Sequence, residues 1–263
     1  MPWMKFEGST VWIVVVTTFL ILGMWESWRP RRALAMAADG RWGRNGLLLL
    51  VSGILQAAVF RLGPLAAAAM VADSPWGLLN RPFLPFAVQF AAAILLLDLV
   101  HYFTHRLFHA VGFLWRIHEV HHSDADYDVS TAARFHPLEV IIGKGFYLAA
   151  IAILAPPLGA VFFAEIHTGL VNVFAHANVA LPTRLETWLR WAIITPDLHR
   201  VHHSEETADQ NRNFGQTFVW WDRLLGTYLP RSISGNLAVA TGVRGVPSGT
   251  GVLALITRPF HRR

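Results

Sequence analysis

Eight of the chain's thirteen histidines fall into three groups with helical spacing. His105 and His109 are four residues apart, His118, His121 and His122 form an H-x-x-H-H, and His199, His202 and His203 repeat it. Residues three and four apart share one side of a helix, so each group can turn its imidazole nitrogens toward a metal ion. At this histidine frequency one H-x-x-H-H is expected by chance roughly 0.03 times; two are not an accident. A lone buried histidine is ordinarily a core residue with a satisfied hydrogen bond, but that does not account for eight in three helical groups. The chain has no cysteine, which excludes disulfides, thiolate ligands and iron–sulfur clusters. A metal here is held by nitrogen or oxygen.

The stretch HEVHH admits two chemistries. As His118-Glu119-x-x-His122 it matches the zinc-protease pattern, two ligands one turn apart with glutamate as general base. As H-x-x-H-H, Glu119 is incidental. The second triplet, HRVHH, keeps the three histidines and places Arg200 where a protease needs its base. The shared element is therefore the histidine triplet. A protease zinc also takes only three protein ligands, whereas these eight, before His176 is counted, can supply two metals with about four or five each. Imidazole suits iron and copper as well as zinc. The reading is a dinuclear site; a zinc metalloprotease using His118, Glu119 and His122, or a membrane metal-binding protein without turnover, are the competing ones.

The elements that position these residues are apolar. Hydrophobic residues make up 54% of the 263 and charged residues 15%, and the mean hydropathy is +0.40, against about 25% charged residues in soluble domains. Residues 11–24 form a first span, with Trp25 and Trp28 suited to an interface. Ala33-Leu34-Ala35 resembles a signal cleavage site, but the intervening Arg-Pro-Arg-Arg and the lone Lys5 before the core argue against cleavage. A second span covers 46–72, interrupted by Arg61 and Pro64, and a third runs from Phe83 to Val100, ending on Asp98. The loop 28–45 carries Arg29, Arg31, Arg32, Arg41 and Arg44 against Asp39 alone, and the loop 73–82 only Asp73 and Arg81. The positive-inside rule puts the arginine loop and the histidines in the cytoplasm and 73–82 outside. The net charge of +5 is explained by this topology rather than by nucleic acid. Residues 140–155 and 158–177 read as two arms of a hairpin broken at Pro156-Pro157. Eleven residues before the prolines rise about 16 Å, half of a bilayer core, so the hairpin dips in and returns. The remainder, 182–263, lies on the cytoplasmic surface, with Leu185, Trp188, Leu189 and Ala192 on one face of an interfacial helix. The expected organisation is 1–82 as N-terminal transmembrane helices, 83–235 as the histidine-bearing domain and 236–263 as a tail.

With HRLFH, LWRIHEVHHS, RFHPLE, TPDLHRVHH and NFGQTFVWWDRLLGT in this order, the chain resembles the fatty acid hydroxylase and sterol desaturase superfamily from about Asp98 to Tyr228. The resemblance implies an all-α, polytopic helical membrane protein whose cytoplasmic histidine-rich cap binds two irons and uses dioxygen to hydroxylate or desaturate a lipid. Zinc in a purified sample would be compatible with the same ligands. Carried over by residue, the ligands are His105, His109, His118, His121, His122, His199, His202 and His203. Many members have a further H-x-x-x-H pair between the triplets, where this chain has only His176, in FAHAN. Others share a single histidine followed by x-Asn, which makes His176 a ligand and Asn172 and Asn178 its supports. His167 is out of phase with His176 and is left out. Asp98 and His101 are read as orienting a ligand imidazole, His136 as either an outer partner or a helix-boundary residue, and His261 as solvated. The electrons come from a separate reductase, ferredoxin or cytochrome-type carrier, since the chain has no flavin or haem signature. The lipid, whether acyl chain, sterol, hopanoid, alkylglycerol or carotenoid, and the choice between hydroxylation and desaturation are left open.

Overall fold

In the computed structural model, α1 (Met4–Trp28) and α7 (Leu158–His176) lie against each other, and α2 (Ala38–Val59) lies against α6 (Pro137–Leu154). The long α4 (Phe86–Ala110) packs on α6 and α7, as does the short α3 (Pro64–Val71). The structure describes residues 4–35, 38–232, 235, 238–247 and 249–261. Among these, the chain is helical, with three isolated bridges and no extended strand. Five of its apolar segments are long enough to cross a bilayer. Their outward faces carry large apolar side chains, such as Ile13 at 64% exposed, Leu50 at 59% and Phe86 at 66%, which in a membrane meet lipid rather than water. This is a multi-pass helical membrane protein.

Above the bundle sits a cap of short helices: α5 (Gly112–His122), a 3-10 turn Val129–Ala133, α8 (Thr183–Leu189), α9 (Pro196–His202), α10 (Thr207–Gln210), α11 (Trp220–Leu224) and α12 (Val252–Thr257). Proline occupies the first turns of α3, α6 and α9, where its missing N–H costs nothing. Of the residues expected on an interfacial face, Leu185, Trp188 and Ala192 are exposed and Leu189 is half-buried, with Trp191 exposed beside them.

Three boundaries depart from the sequence expectation. The third span does not end at Asp98. It continues for twelve further residues and carries His105 and His109, because the cap hydrogen-bonds the buried carboxylate: Trp221 Nε1 and the Phe218 N–H donate to Asp98 Oδ2 at 2.8 and 3.2 Å. The second span begins at Ala38 rather than 46, since its first turns belong to the cap, and it breaks between Val59 and Pro64. The hairpin is deeper than a half-bilayer dip. With 18 residues, α6 rises about 27 Å and meets the 73–82 loop, whose Leu78 and Leu79 N–H groups donate to the Ile153 and Leu154 carbonyls at 3.2 and 2.8 Å. Two close approaches need glycine. A Cβ on Gly77 would lie 2.4 Å from that of Ala155 at the hairpin tip, and one on Gly169 of α7 would lie 2.5 Å from Val15 of α1.

Candidate metal centre

On a helix advancing about 100° per residue, positions i and i+4 differ by about 40°, while i+3 points about 60° the other way. The two triplets follow this rule and thereby divide their imidazoles between two places. His118 and His122 join His105 and His109 of α4 and His202 from the second triplet. His199 and His203 join His176 at the end of α7 and His121 from the first triplet. Each middle histidine crosses to the other triplet's group. Within each group the candidate ligand atoms all lie within 4.8 Å of one another.

The nitrogen separations fit metal ions. Nε2 atoms of His105 and His118, His118 and His122, and His105 and His202 are 3.1, 3.1 and 3.0 Å apart, and those of His121 and His176, and His176 and His199, are 3.2 and 3.1 Å apart. Two nitrogens bound about 2.1 Å from one ion at angles of 90–109° stand about 3.0–3.4 Å apart. Several of these nitrogens are also fixed as acceptors. The opposite ring atom, Nδ1, donates to the carbonyls of Phe214 (His105, 2.9 Å), Arg134 (His121, 3.1 Å), Asn172 (His176, 2.8 Å) and Arg212 (His202, 2.8 Å), and in His118 to Glu139 Oε1 at 2.6 Å. That leaves an Nε2 lone pair facing the centre, the outer support common to metal-bound histidine. His109 Nε2 and His203 Nε2 are buried without a hydrogen-bond partner, a cost that a bound cation removes. His122 Nδ1 and His199 Nδ1 also lack partners, and these rings stack instead on His203 and His202, at 4.3 and 5.2 Å between centroids. Burial pushes His118 down to about 3. Burial first, and neighbouring imidazoles second, push His121, His122, His199, His202 and His203 well below the ordinary range. These rings are neutral at physiological pH and available as ligands.

Glu119 points elsewhere. It is buried at 1% exposure and faces Arg258, whose Nη2 lies 3.2 Å from Oε1. In the zinc-protease pattern that carboxylate would serve as base, but here it anchors the C-terminal segment behind α5.

The fatty acid hydroxylase family matches residues 90–227, just over half of the chain. The chain belongs to that family. It is 28% identical over 258 residues to ornithine lipid hydroxylase OlsE of Rhizobium tropici, covering 95% of this chain and 76% of that protein. An alkylglycerol monooxygenase of Xenopus tropicalis is 34% identical over 133 residues, 51% of this chain and 29% of its own length. Sphinganine C4-monooxygenase 1 of Arabidopsis thaliana is 32% identical over 158 residues, 57% of this chain and 58% of its own. The chain thus spans under a third of the alkylglycerol monooxygenase. No solved structure matches it.

Within the family's segment, the outer residues sit differently from their sequence assignments. Asp98 hydrogen-bonds no imidazole among the described residues; it pins the Phe218–Trp221 stretch. His101 stacks on Tyr147, with ring centroids 4.8 Å apart, and lines the cavity below the histidines. His136 is the helix-boundary residue: its Nδ1 accepts from the Leu138 N–H at the start of α6, and its Nε2 donates to the Ile256 carbonyl at 2.9 Å. Asn172 supports His176 through its backbone carbonyl. Asn178 instead ties down the chain after α1, donating to the Arg32 carbonyl and to Glu26. His167 lies between Phe163 and Phe218, and His261 is exposed. Sequence reasoning missed Glu139, although an acid in the first turn of an apolar helix was the available signal. It also missed Asp222, whose carboxylate takes the Phe214 and Gly215 N–H groups at 2.8 Å each and so sets the carbonyl that holds His105.

A cavity of about 730 Å³ reaches the histidines from below. Its walls come from α1, α2, α4, α6 and α7, and it touches His105 and His118 of one group and His121, His176 and His199 of the other.

Proposed function

We propose that this protein is a dioxygen-dependent lipid hydroxylase in which the nine gathered histidines hold two irons on the cytoplasmic side of the membrane. The observation that carries this reading is the continuity between the membrane-embedded cavity and both histidine groups. A lipid in that cavity has its carbon beneath the metals without leaving an apolar environment. The relatives are named for oxidising an ornithine lipid, an alkylglycerol and sphinganine, which favours hydroxylation of such a lipid over desaturation. Bound irons would supply the redox chemistry that activates dioxygen, a task a single hydrolytic zinc does not perform. The balance is one C–H bond, one dioxygen, two electrons and two protons, giving C–OH and water. The electrons come from a separate reductase or one-electron carrier. The chain's own part is to hold neutral imidazoles with Nε2 inward, through Glu139 and the carbonyls of residues 134, 172, 212 and 214, and to keep bulk water from the reacting carbon. Residues 1–82 act with 83–235 as one unit, because α1 and α2 wall the cavity, and 236–263 forms a tail that α12 ties back to α2.

Lipid profiles of cells with and without the protein test the reading. The expected difference is a class of lipids heavier by one oxygen, formed only in air and only with an electron donor. An unchanged profile together with redox-silent zinc in the purified protein would overturn it. The orientation is tested separately: a reporter near residue 206 should map to the cytoplasm and one near residue 78 to the opposite side. If both map to one compartment, the topology is wrong.

A further inference from the structure

We propose that Asn172 and Gln216 form a subsite for a neutral hydrogen-bonding group of the lipid, so that oxidation falls beside the polar end while the chain trails through the cavity. The proposal rests on the cavity being the lipid site. Both amides are referenced to the metal centre by backbone. The Asn172 carbonyl holds His176 Nδ1, and Gln216 lies two residues after Phe214, whose carbonyl holds His105 Nδ1. Both side chains line the cavity and are half-buried. Their bonds are long: Gln216 Nε2 donates to Asn172 Oδ1 at 3.4 Å, and Asn172 Nδ2 to the Ala132 carbonyl at 3.4 Å. Two primary amides offer four N–H donors and two carbonyl acceptors, so these two long bonds leave two N–H groups and the Gln216 carbonyl for a ligand in the cavity that both residues line.

The remaining wall fixes which end of a lipid goes where. Val15 meets Gly169, seven residues before His176 and so about 10 Å below it. Trp12 and Val16 bracket that level. Trp12 and Leu49 line the cavity yet are 61% and 42% exposed, so they form a rim open to the bilayer between α1 and α2. Phe19 and Trp42, ring centroids 5.4 Å apart in a T-shaped contact, close this gap at the cap end. Among the described residues no lysine or arginine lines the cavity, so away from the metal centre itself a phosphate or carboxylate brought inside would be desolvated without a counter-charge. A hydroxyl, ether or amide meets partners in Asn172 and Gln216. Carbons within a few bonds of that group are the ones beneath the histidines.

Holoprotein in detergent, held anaerobically with hexadecylglycerol, hexadecyl phosphate or hexadecane, gives a binding readout without turnover. Hexadecylglycerol should bind at least about tenfold tighter than the phosphate, and Asn172→Leu or Gln216→Leu should each weaken it by about five- to tenfold with metal content and hexadecane binding unchanged. Equal binding of phosphate and glycerol ether, or unchanged hexadecylglycerol binding in both variants, overturns the subsite. A second measurement needs no variant: fragmentation of the oxidised lipid that accumulates in cells should place the new oxygen within a few carbons of the polar group. Oxygen at mid-chain or at the chain end overturns the subsite and leaves the hydroxylase reading standing; no oxidised lipid at all overturns that reading itself.

Discussion

His121→Ala is expected to empty the four-histidine position and reduce lipid oxidation at least about 100-fold, while Glu119→Gln retains both metals and most of the activity. A partner of a ligating histidine already contributes about 10- to 100-fold in metal affinity or activity, and a ligand contributes more. His121 stands with His176, His199 and His203, so its loss leaves three imidazoles. His202 belongs to the group of five, and His202→Ala leaves four. The second variant should therefore keep more metal than the first while still losing activity, because the remaining ligands recentre the ion. Glu119→Gln preserves the shape and one hydrogen bond to Arg258 on the far side of α5. Metal per chain, lipid oxidation and elution profile, measured on all three proteins, decide the matter. If Glu119→Gln is inactive with its metal retained while both histidine variants work, the chemistry is base-assisted hydrolysis and the oxidation reading is wrong.

Eight of the nine histidines were legible because helical spacing is local: H-x-x-H-H and H-x-x-x-H place their members on one helix side whatever the rest of the chain does, whereas the single His176 stands out only through the resemblance to the family. How they divide was also contained in the spacing, yet it emerges only when two triplets face each other and each middle histidine reaches across. The outer partners were harder to see. Four of the acceptors holding Nδ1 are backbone carbonyls, at Arg134, Asn172, Arg212 and Phe214, and any residue type supplies a carbonyl. Asp98 was recognised as unusual but assigned to an imidazole, when its partners are Trp221 and Phe218, over a hundred residues away in the chain. The cavity was invisible for the same reason, since its walls come from five helices whose packing no single segment encodes. Within those walls, α1 and α2 lie outside the stretch matched by the family.

Arg41→Ala is expected to destabilise the protein by about 3–5 kcal/mol, the cost of breaking a buried ion pair from one side, and to lower its unfolding midpoint by on the order of 10 °C. In the sequence, Arg41 is one of five arginines whose common meaning is topology. In the structure it is a tie between α2 and the segment after the first histidine triplet. Its Nε and Nη2 bind Asp124 Oδ1 and Oδ2 at 3.0 and 2.9 Å, and its Nη1 binds Asp128 Oδ2 at 2.6 Å. Arg41 and Asp128 are each 1% exposed and Asp124 6%. Burial alone would raise the Asp124 carboxyl, but the Arg41 hydrogen bonds and charge outweigh it and hold the group below the usual carboxylate range. Alanine would leave two carboxylates desolvated two and six residues after His122, so metal should be lost along with stability. Arg41→Lys should fall in between, since an ammonium cannot reproduce the bidentate contact. Arg29→Ala serves as the contrast, because Arg29 is exposed and lies over the Trp28 ring at 5.8 Å. If the arginines mattered only as positive charge on one side of the membrane, Arg29→Ala and Arg41→Ala would behave alike in thermal unfolding and metal content. A large effect at 41 with little at 29 is the signature of the buried tie.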